Sequence, residues 1–364
     1  MTDPEPLRTV VWGTGNMGRA AIRAVDAHPG LELSGVVVSN PDKVGLDAGH
    51  LAGMDRRLGV AATDDAAAML ADSPAAVAYM ASGDIRPDAA LADVTEALRR
   101  GAVVVTPALY GLYDPTGAPE ELRCPLIDAA VEGGSSLFVS GIDPGWANDL
   151  LPVLLSGLCG RIDSIRSQEI FDYSTYDQPD SVRDLIGMGH PLDYEPPMVA
   201  ATVPTMVWGG QVRLIARALG VELDELRETL ERRPLESTVT NAMGEFVAGT
   251  QGALRFEVQG IVDDQPVIVV EHVTRITPDC APDWPTPPAG AGGTHRVVIE
   301  GEPRLQVSLE ATAEGGNNAA GGNATAAMRL VNAIGWLHSA PPGLYDALQV
   351  PLQPAIGRVG RASA

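Results

Sequence analysis

An apolar strand, "RTVVWG" at residues 8–13, runs directly into "GTGNMG" and then into an alanine-rich helix, "MGRAAIRAVDAH". This junction constrains the chain more than any other feature. A buried strand that turns into a helix within a few glycines must return through a crossover. The next apolar stretch, "LELSGVVVS", lies at the right distance to be the neighbouring strand. The alternation then continues through "DDAAAMLAD", "AAVAYMAS", "PDAALADVTEALRRG", "AVVVTP", "PEELRCPLIDAAVEGG" and "SSLFVSG". Strands alternating with helices of about 10–15 residues predict βαβ units and a doubly wound parallel sheet. The strands are near-continuous apolar runs, as expected when helices cover both faces.

After residue 145 the pattern changes. "WANDLLPVLLSGLCG" reads as a long helix, "IDSIRSQEIFDY" as a strand, and residues 180–232 as helical segments. Two stretches of period-2 patterning follow, "ALRFEVQGIVDDQPVIVVEHVTRI" and "RVVIEGEPRLQVSLEAT", with turns at "DDQP" and "GEP". They predict a second α/β domain with a mixed, largely antiparallel sheet. The Pro/Gly segment between them, "TPDCAPDWPTPPAGAGG", is long for a connection and reads as a lid or partner arm. The helix in "NATAAMRLVNAIGWLHSA" is expected to pack back on the first domain, and "IGRVGRASA" to fray. The expected division is a dinucleotide-binding domain over 1–145, a substrate-binding and dimerisation domain over 146–318, and the returning helix over 319–350.

Composition narrows the function classes. Of 364 residues 45% are hydrophobic but only 4% aromatic, so the cores should be built from Ala, Val and Leu. The formal net charge of -22 argues against nucleic acid or an anionic membrane as the main partner. The acidic, Pro-containing start does not read as a signal peptide, and no run approaches the ~18 apolar residues of a membrane span. Cys124, Cys159 and Cys280 lack metal-ligand spacing and read as reduced, buried thiols of a cytoplasmic protein. No metal is expected.

In "GTGNMG", Gly13 permits the turn, Gly15 admits a pyrophosphate and Gly18 allows helix and strand to close up. Thr14, Asn16 and Met17 complete the loop, whose free N–H groups meet phosphate with the helix dipole behind them. An NAD-selective site places an acid about 20 residues past the glycines. Here the strand ends at Ser39 and Asn40, both neutral, and Lys43 follows, the only lysine among 25 basic side chains. A hydroxyl, an amide and a cation suit the 2'-phosphate of NADP(H), which is therefore favoured over NAD(H). Asp42 would serve a ribose only if the loop turned it inward.

Several segments together, "RTVVWGTGNMGRAAIRAV", "VSNPDKVGLDAGHLAG", "GIDPGWANDLLP", "IFDYSTYDQPDSVRDLIGMG", "EHVTRI" and "TAAMRLVNAIGWLHSAPPG", resemble the 2,4-diaminopentanoate dehydrogenase and native amine dehydrogenase family, whose first domain is similar to that of dihydrodipicolinate reductase. The resemblance implies a Rossmann domain, a mixed α/β substrate domain, a homodimer joined through the second domain's sheet, and NAD(P)H-dependent reductive amination of a small ketone or aldehyde, or its reverse. The K-x-D-A-P-S-G-T loop of the dicarboxylate reductases is missing. So is the glutamate that many amine dehydrogenases of the family carry after "VVST". Here Pro107, Ala108, Leu109 and Tyr110 occupy that stretch.

Reductive amination needs a proton acceptor, whereas hydride transfer needs only orientation and a polarised double bond. Tyr110, at the mouth of the parallel sheet, and Glu169, Tyr173, Tyr176 and His272 are the candidates for acid, base or carbonyl orienter, as is Asp172 on the opposite strand face from Glu169. Ser82, Gly83, Pro107, Ala108, Pro144, Gly145, Asn148 and Asn332 are candidates to frame the cofactor, although Asn148 also reads as a helix cap. Trp146, Phe171, Tyr173, Tyr176, Met188 and Trp208 are expected to line a mostly apolar pocket. Two other readings stay open: an NADPH reductase of a preformed C=N or C=O that uses no ammonia, and a non-catalytic NADP-binding sensor.

Replacing Lys43 with alanine should lower the ratio of NADP to NAD affinity about tenfold, the worth of one charge-assisted hydrogen bond. Fluorescence titration with both cofactors checks this, and an unchanged ratio removes Lys43 from the cofactor site.

Overall fold

The computed structural model describes residues 5–83, 86–175, 178–313 and 317–360. The chain divides into two units, Met1–Ile142 with Asn323–Ala364, and Asp143–Gly322. The first is built on seven strands: β1 (Leu7–Trp12), β2 (Leu31–Val37), β3 (Ala62–Thr63), β4 (Ala76–Tyr79), β5 (Val103–Thr106), β6 (Ser136–Val139) and β15 (Gly343–Tyr345). They lie in the order β15-β6-β5-β4-β1-β2-β3, and every pairing is parallel. This is a Rossmann-like sheet.

Its two faces explain why the strands are apolar throughout. Val11, Val105 and Phe138 point to one side, into helix α1 (Asn16–Ala27), the short α2 (Ala48–Ala52) and the long α8 (Asn318–Ser339). Val10, Trp12, Val77 and Tyr79 point to the other, into α4 (Pro87–Arg99) and α5 (Glu120–Gly133), with α3 (Ala66–Ala71) at the margin. Leu330, Val331, Ile334 and Leu337 of α8 share a core with Val11 and Phe138. Each buried aliphatic side chain of this kind contributes about 1.5–3 kcal/mol. α8 is tied further by the Ser136 hydroxyl, which donates to the Leu337 carbonyl at 2.9 Å. The tail is not loose up to residue 360, because Arg358 donates to the Ala24 carbonyl at 2.8 Å. Its last four residues lie outside the described set.

The second unit has a six-stranded mixed sheet. Its strands are β7 (Arg161–Asp172), β8 (Glu225–Pro234), β11 (Gln251–Val262), β12 (Gln265–Arg275), β13 (Gly293–Glu302) and β14 (Leu305–Leu309), in the order β14-β13-β7-β12-β11-β8. Only β7 and β12 pair in parallel. β9 (Val239–Asn241) and β10 (Gly244–Phe246) form a separate hairpin. Helix α7 (Val203–Leu219) packs on one face, where Val212 lies under Gly260 and Trp208 meets Phe256. The short α6 (Leu150–Ser156) lies near β7 and β13. The opposite face carries a charge lattice: Arg166 reaches Glu257 at 2.6 Å and Glu271 at 2.7 Å, and Arg255 reaches Glu271 at 2.8 Å.

Three expectations need correction. The long helix at 146–160 is α6 alone; its first turn opens only after the bend at Gly145 and it stops at Gly157. The helical reading of 180–232 fails at its end, since "ELRETLERRP" is the edge strand β8, antiparallel to β11. Its Glu, Leu and Arg favour a helix, but pairing with a long neighbour outweighs a propensity worth tenths of a kcal/mol per residue. Finally, Cys124 is exposed on α5 and Cys159 half-buried in a loop; only Cys280 is buried. The Pro/Gly segment lies against its own sheet: Arg275 donates to the carbonyls of Cys280 and Ala281, Arg296 to that of Thr286, and Arg233 sits over Trp284. No helix among the described residues is long and apolar enough to cross a membrane.

Gly18 and Gly15 should separate folding from binding. A Cβ on Gly18 would stand 2.0 Å from the Gly13 carbonyl oxygen, whereas one on Gly15 would meet nothing within 4 Å. Gly18→Ala should cost about 1–3 kcal/mol of stability. Gly15→Ala should melt like wild type yet bind dinucleotide at least about tenfold more weakly, by occupying the space a pyrophosphate needs. Paired thermal melts and cofactor titrations check both.

Candidate active site

In the first unit the glycine loop leaves β1 through Gly13, whose φ of +101° suits only glycine. Its carbonyl is covered by Gly18, so the first turn of α1 sits directly on the loop. Helix α1 starts at Gly15 with no side-chain cap and no acid in its first turn. Its orphan N–H groups and positive dipole end are therefore free to take an anion. At the end of β2 the chain turns through Pro41–Lys43, with Asn40 accepting from the Asp42 N–H. Asp42 is exposed. Lys43 reaches back to the loop, with Nζ 3.1 Å from the Thr14 hydroxyl oxygen and 3.4 Å from its carbonyl oxygen.

The loops after β4 and β5 meet so tightly that a Cβ on Gly83 would lie 1.9 Å from the Ala108 carbonyl oxygen. After β5, Ala108 and Leu109 are buried, and Tyr110 lies in a 3₁₀ turn stacked on Tyr113 with centroids 6.3 Å apart. This loop is an apolar brace. The buried Asn332 Oδ1 of α8 has no hydrogen-bond partner. A glycine cradle, an uncapped helix and a cation beside the loop fit the phosphates of a dinucleotide.

The second unit holds a cluster that strand register builds. Glu169 of β7 pairs with His272 of β12 on one side and with His295 of β13 on the other. All three side chains share the face that α7 covers. Directly opposite residues on one sheet face lie side by side, so the register itself places a carboxylate between two imidazoles. Asp143, in the turn that opens this unit, closes the group. His272 Nε2 lies 3.0 Å from Asp143 Oδ1, and His272 Nδ1 lies 3.7 Å from Glu169 Oε1. His295 Nε2 is 3.6 Å from Glu169 Oε2. Trp208 Nε1 donates to the same Asp143 oxygen at 2.8 Å, and the Tyr173 hydroxyl donates to Glu169 at 3.1 Å. Phe256 stacks on the His272 ring at 4.7 Å and 5°, and Trp208 leans on it at 4.5 Å.

Charge decides the state of this group. The Asp143 side chain is 1% exposed and that of His272 6%. Burial alone would lower the His272 pKa, but the charges of Asp143 and Glu169 outweigh it and raise it above the ordinary imidazole value. Burial alone would raise that of Asp143, but His272 and His295, with the Trp208 N–H, hold it below the ordinary carboxylate value. The His272–Asp143 contact is a charge contact, since the ring nitrogen finds no aligned hydrogen bond. Donor atoms of Asp143, Glu169 and His272 lie within 4.8 Å of one another. Both imidazole nitrogens already face carboxylates, however, and a ring so placed is satisfied by a proton. We read the trio as a proton-sharing group.

The structure thus brings together three expected residues, Glu169, Tyr173 and His272, with Phe171 and Trp208 from the expected apolar lining. Phe171 also meets His295 edge-on. Tyr176 lies outside the described residues. Met188 is fully buried beside Gln251, away from the cluster. Asn148 does not cap α6; Asp149 does, through the Leu150 N–H. Asn148 instead accepts from the Gly145 N–H at 2.9 Å, and its buried Nδ2 has no partner. Asp143 and His295 were not singled out from sequence. Asp143 sits in "GIDPG", read there for its backbone, and His295 shows its meaning only through the register with Glu169.

Residues 146–363 match the 2,4-diaminopentanoate dehydrogenase C-terminal domain, and residues 7–106 the dihydrodipicolinate reductase N-terminus. The chain is 68% identical to an amine dehydrogenase of Streptomyces virginiae over 98% of its own length and 99% of that protein's. It is 25% identical to 2,4-diaminopentanoate dehydrogenase of Acetoanaerobium sticklandii over 66% of this chain and 65% of that one. In fold it resembles the amine dehydrogenase of Mycobacterium smegmatis, with a TM-score of 0.76 at 22% identity, covering 96% and 97% of the two chains.

The His272 and Asp143 shifts give a stability window. A raised folded-state pKa means the contribution of His272 is complete below the unfolded value of about 6.5 and is lost as pH rises through the folded one. A lowered one means that of Asp143 is present above about 3.9 and is lost as pH falls through the folded one. Replacing His272 with glutamine strands a buried carboxylate and should cost about 3–5 kcal/mol near pH 6. The difference from wild type should shrink on going alkaline. Urea melts between pH 5 and 9 check this.

Proposed function

The chain belongs to the 2,4-diaminopentanoate dehydrogenase family, and on that premise we propose that it catalyses NADP(H)-dependent reductive amination of a small ketone or aldehyde, or the reverse deamination. It is an amine dehydrogenase-like oxidoreductase acting on a CH–NH2 group. The observation that carries the finer reading is the half-buried Glu169, flanked by two imidazoles and hydrogen-bonded by Tyr173. It supplies the proton acceptor that the loop after β5 lacks. In the aminating direction ammonia must be freed from ammonium, add to the carbonyl carbon, and lose its second proton as the oxygen departs as water. We assign proton acceptance to the Glu169 carboxylate and proton donation to the departing oxygen to the Tyr173 hydroxyl.

The bound nicotinamide supplies the hydride. The glycine loop with Thr14, Asn16 and Met17 holds its phosphates, Lys43 with Ser39 and Asn40 the 2'-phosphate, and the loops bearing Ser82, Gly83, Pro107 and Ala108, together with Pro144, Gly145, Asn148 and Asn332, frame the rest. Lys43 beside Thr14 supports NADP(H) over NAD(H). The orphan amide atoms of Asn148 and Asn332 support a ligand in contact with each. Phe171, Tyr173 and Trp208 around two carboxylates favour a neutral or cationic substrate over a keto acid. We assign the first unit to the cofactor and the second to the substrate and to homodimer formation, through the sheet face that bears Arg166 and Glu271.

A second reading has support of its own. The loop from Pro107 to Leu109 offers no acid, which fits a reductase of a preformed C=N or C=O. Following NADPH absorbance with a carbonyl panel, with and without ammonium, decides between them. The proposal expects oxidation that requires ammonium, and a fall in kcat of about 10²–10⁴-fold in Glu169→Gln. Oxidation independent of ammonium supports the second reading, and tight NADPH binding without turnover would point to a sensor.

A further inference from the structure

A carboxylate that accepts a proton from a substrate must be held in place, and Glu169 has contacts on both of its oxygens. Asp143 lies at the start of the second unit, in a turn that carries none of the other members of the cluster. One of its oxygens takes both the Trp208 N–H at 2.8 Å and His272 Nε2 at 3.0 Å. Phe256, parallel to the ring at 5°, and Trp208, tilted at 60°, fix the plane of the imidazole, in which Nε2 faces Asp143 and Nδ1 faces Glu169. The groups facing that ring are therefore Asp143 from the turn, Glu169 from β7, Trp208 from α7 and Phe256 from β11. Glu271, its neighbour in β12, acts on it from the opposite sheet face. His295 from β13 faces the far oxygen of Glu169.

We propose that Asp143 is a positioning residue for the amine chemistry: it anchors His272 through Nε2, and the other nitrogen of that ring holds the Glu169 carboxylate in place against Tyr173. This rests on the reading of Glu169 as proton acceptor. With Asp143 neutral, His272 has one carboxylate instead of two to balance its burial, and it gives up its proton at neutral pH. Glu169 then loses the cation at 3.7 Å that holds it in place. Asp143 itself touches no reacting atom. Its effect passes through a ring locked by two aromatic neighbours, so the readout is the protonation of that ring as well as the rate.

The test is Asp143→Asn, which keeps an oxygen for the Trp208 N–H and removes the charge. The His272 imidazole is followed by NMR in ¹³C-histidine-labelled protein, with His272→Gln to assign it. In wild type the ring should stay charged through pH 7, and in Asp143→Asn it should titrate at least about one unit lower. At pH 7, kcat should drop about tenfold while KM for the carbonyl substrate stays within about twofold. Asp143→Glu should recover part of both.

An unshifted His272 titration, or a shifted titration with unchanged kcat, overturns the proposal. If the asparagine variant fails to fold, the wild-type titration still decides: a neutral His272 at pH 7 overturns it. Full activity in Glu169→Gln would overturn the acid–base reading itself and the catalytic half of this proposal with it. The control of His272 by Asp143 would still be judged by its titration alone.

Discussion

A carboxylate held out of water needs a counter-charge, and Asp143 sets the terms for the second unit because its side chain is 1% exposed. Desolvating such an ion costs several kcal/mol, which only a close, well-placed partner offsets. His272 is that partner, and its second nitrogen then faces Glu169. The register of three strands follows from this, for a slip of one residue in β7 would send Glu169 to the opposite sheet face and put Gln168 beside the imidazoles. The position of α7 follows too, since Trp208 must reach Asp143 while covering His272. The opposite sheet face solves the same problem separately, with Arg166 and Arg255 shared between Glu257 and Glu271.

The first unit rests on a different constraint, the close approach of backbone to backbone at Gly13 and Gly18. That approach brings the start of α1 against the end of β1 and leaves its first N–H groups without a side-chain cap. Lys43 is placed by a short turn after β2 and points at the same loop. The two units therefore divide the chemistry. One offers positive ends suited to the phosphates of a dinucleotide, and the other a charge-balanced group of carboxylates and imidazoles. The apolar loop after β5 belongs to the first unit, and Tyr110 there stacks on Tyr113.

Much of this was readable in the chain. The Rossmann-like sheet followed from strand–helix alternation because each segment's period agreed with its place in the fold. The glycine loop followed from its spacing together with its place between the first strand and the first helix. Glu169 and Phe171 share a strand face, as their two-residue separation requires. What escaped was set by contacts distant in sequence. β8 reads as helix until its pairing with β11 is known. β15, three residues long, has too little pattern to be seen and exists because β6 has a free edge. His295 and Asp143 look ordinary, since a histidine in an alternating strand gains meaning only when a carboxylate is placed beside it from 126 positions earlier, residue 295 against residue 169.

The most direct test is a crystal structure with NADP and an unreactive amine analogue of the substrate, read at the ligand nitrogen. The account predicts that nitrogen within about 2.6–3.2 Å of the Glu169 carboxylate, with Tyr173 beside it. A ligand nitrogen held by the loop from Pro107 to Tyr110, with Glu169 and His272 turned away, would contradict it.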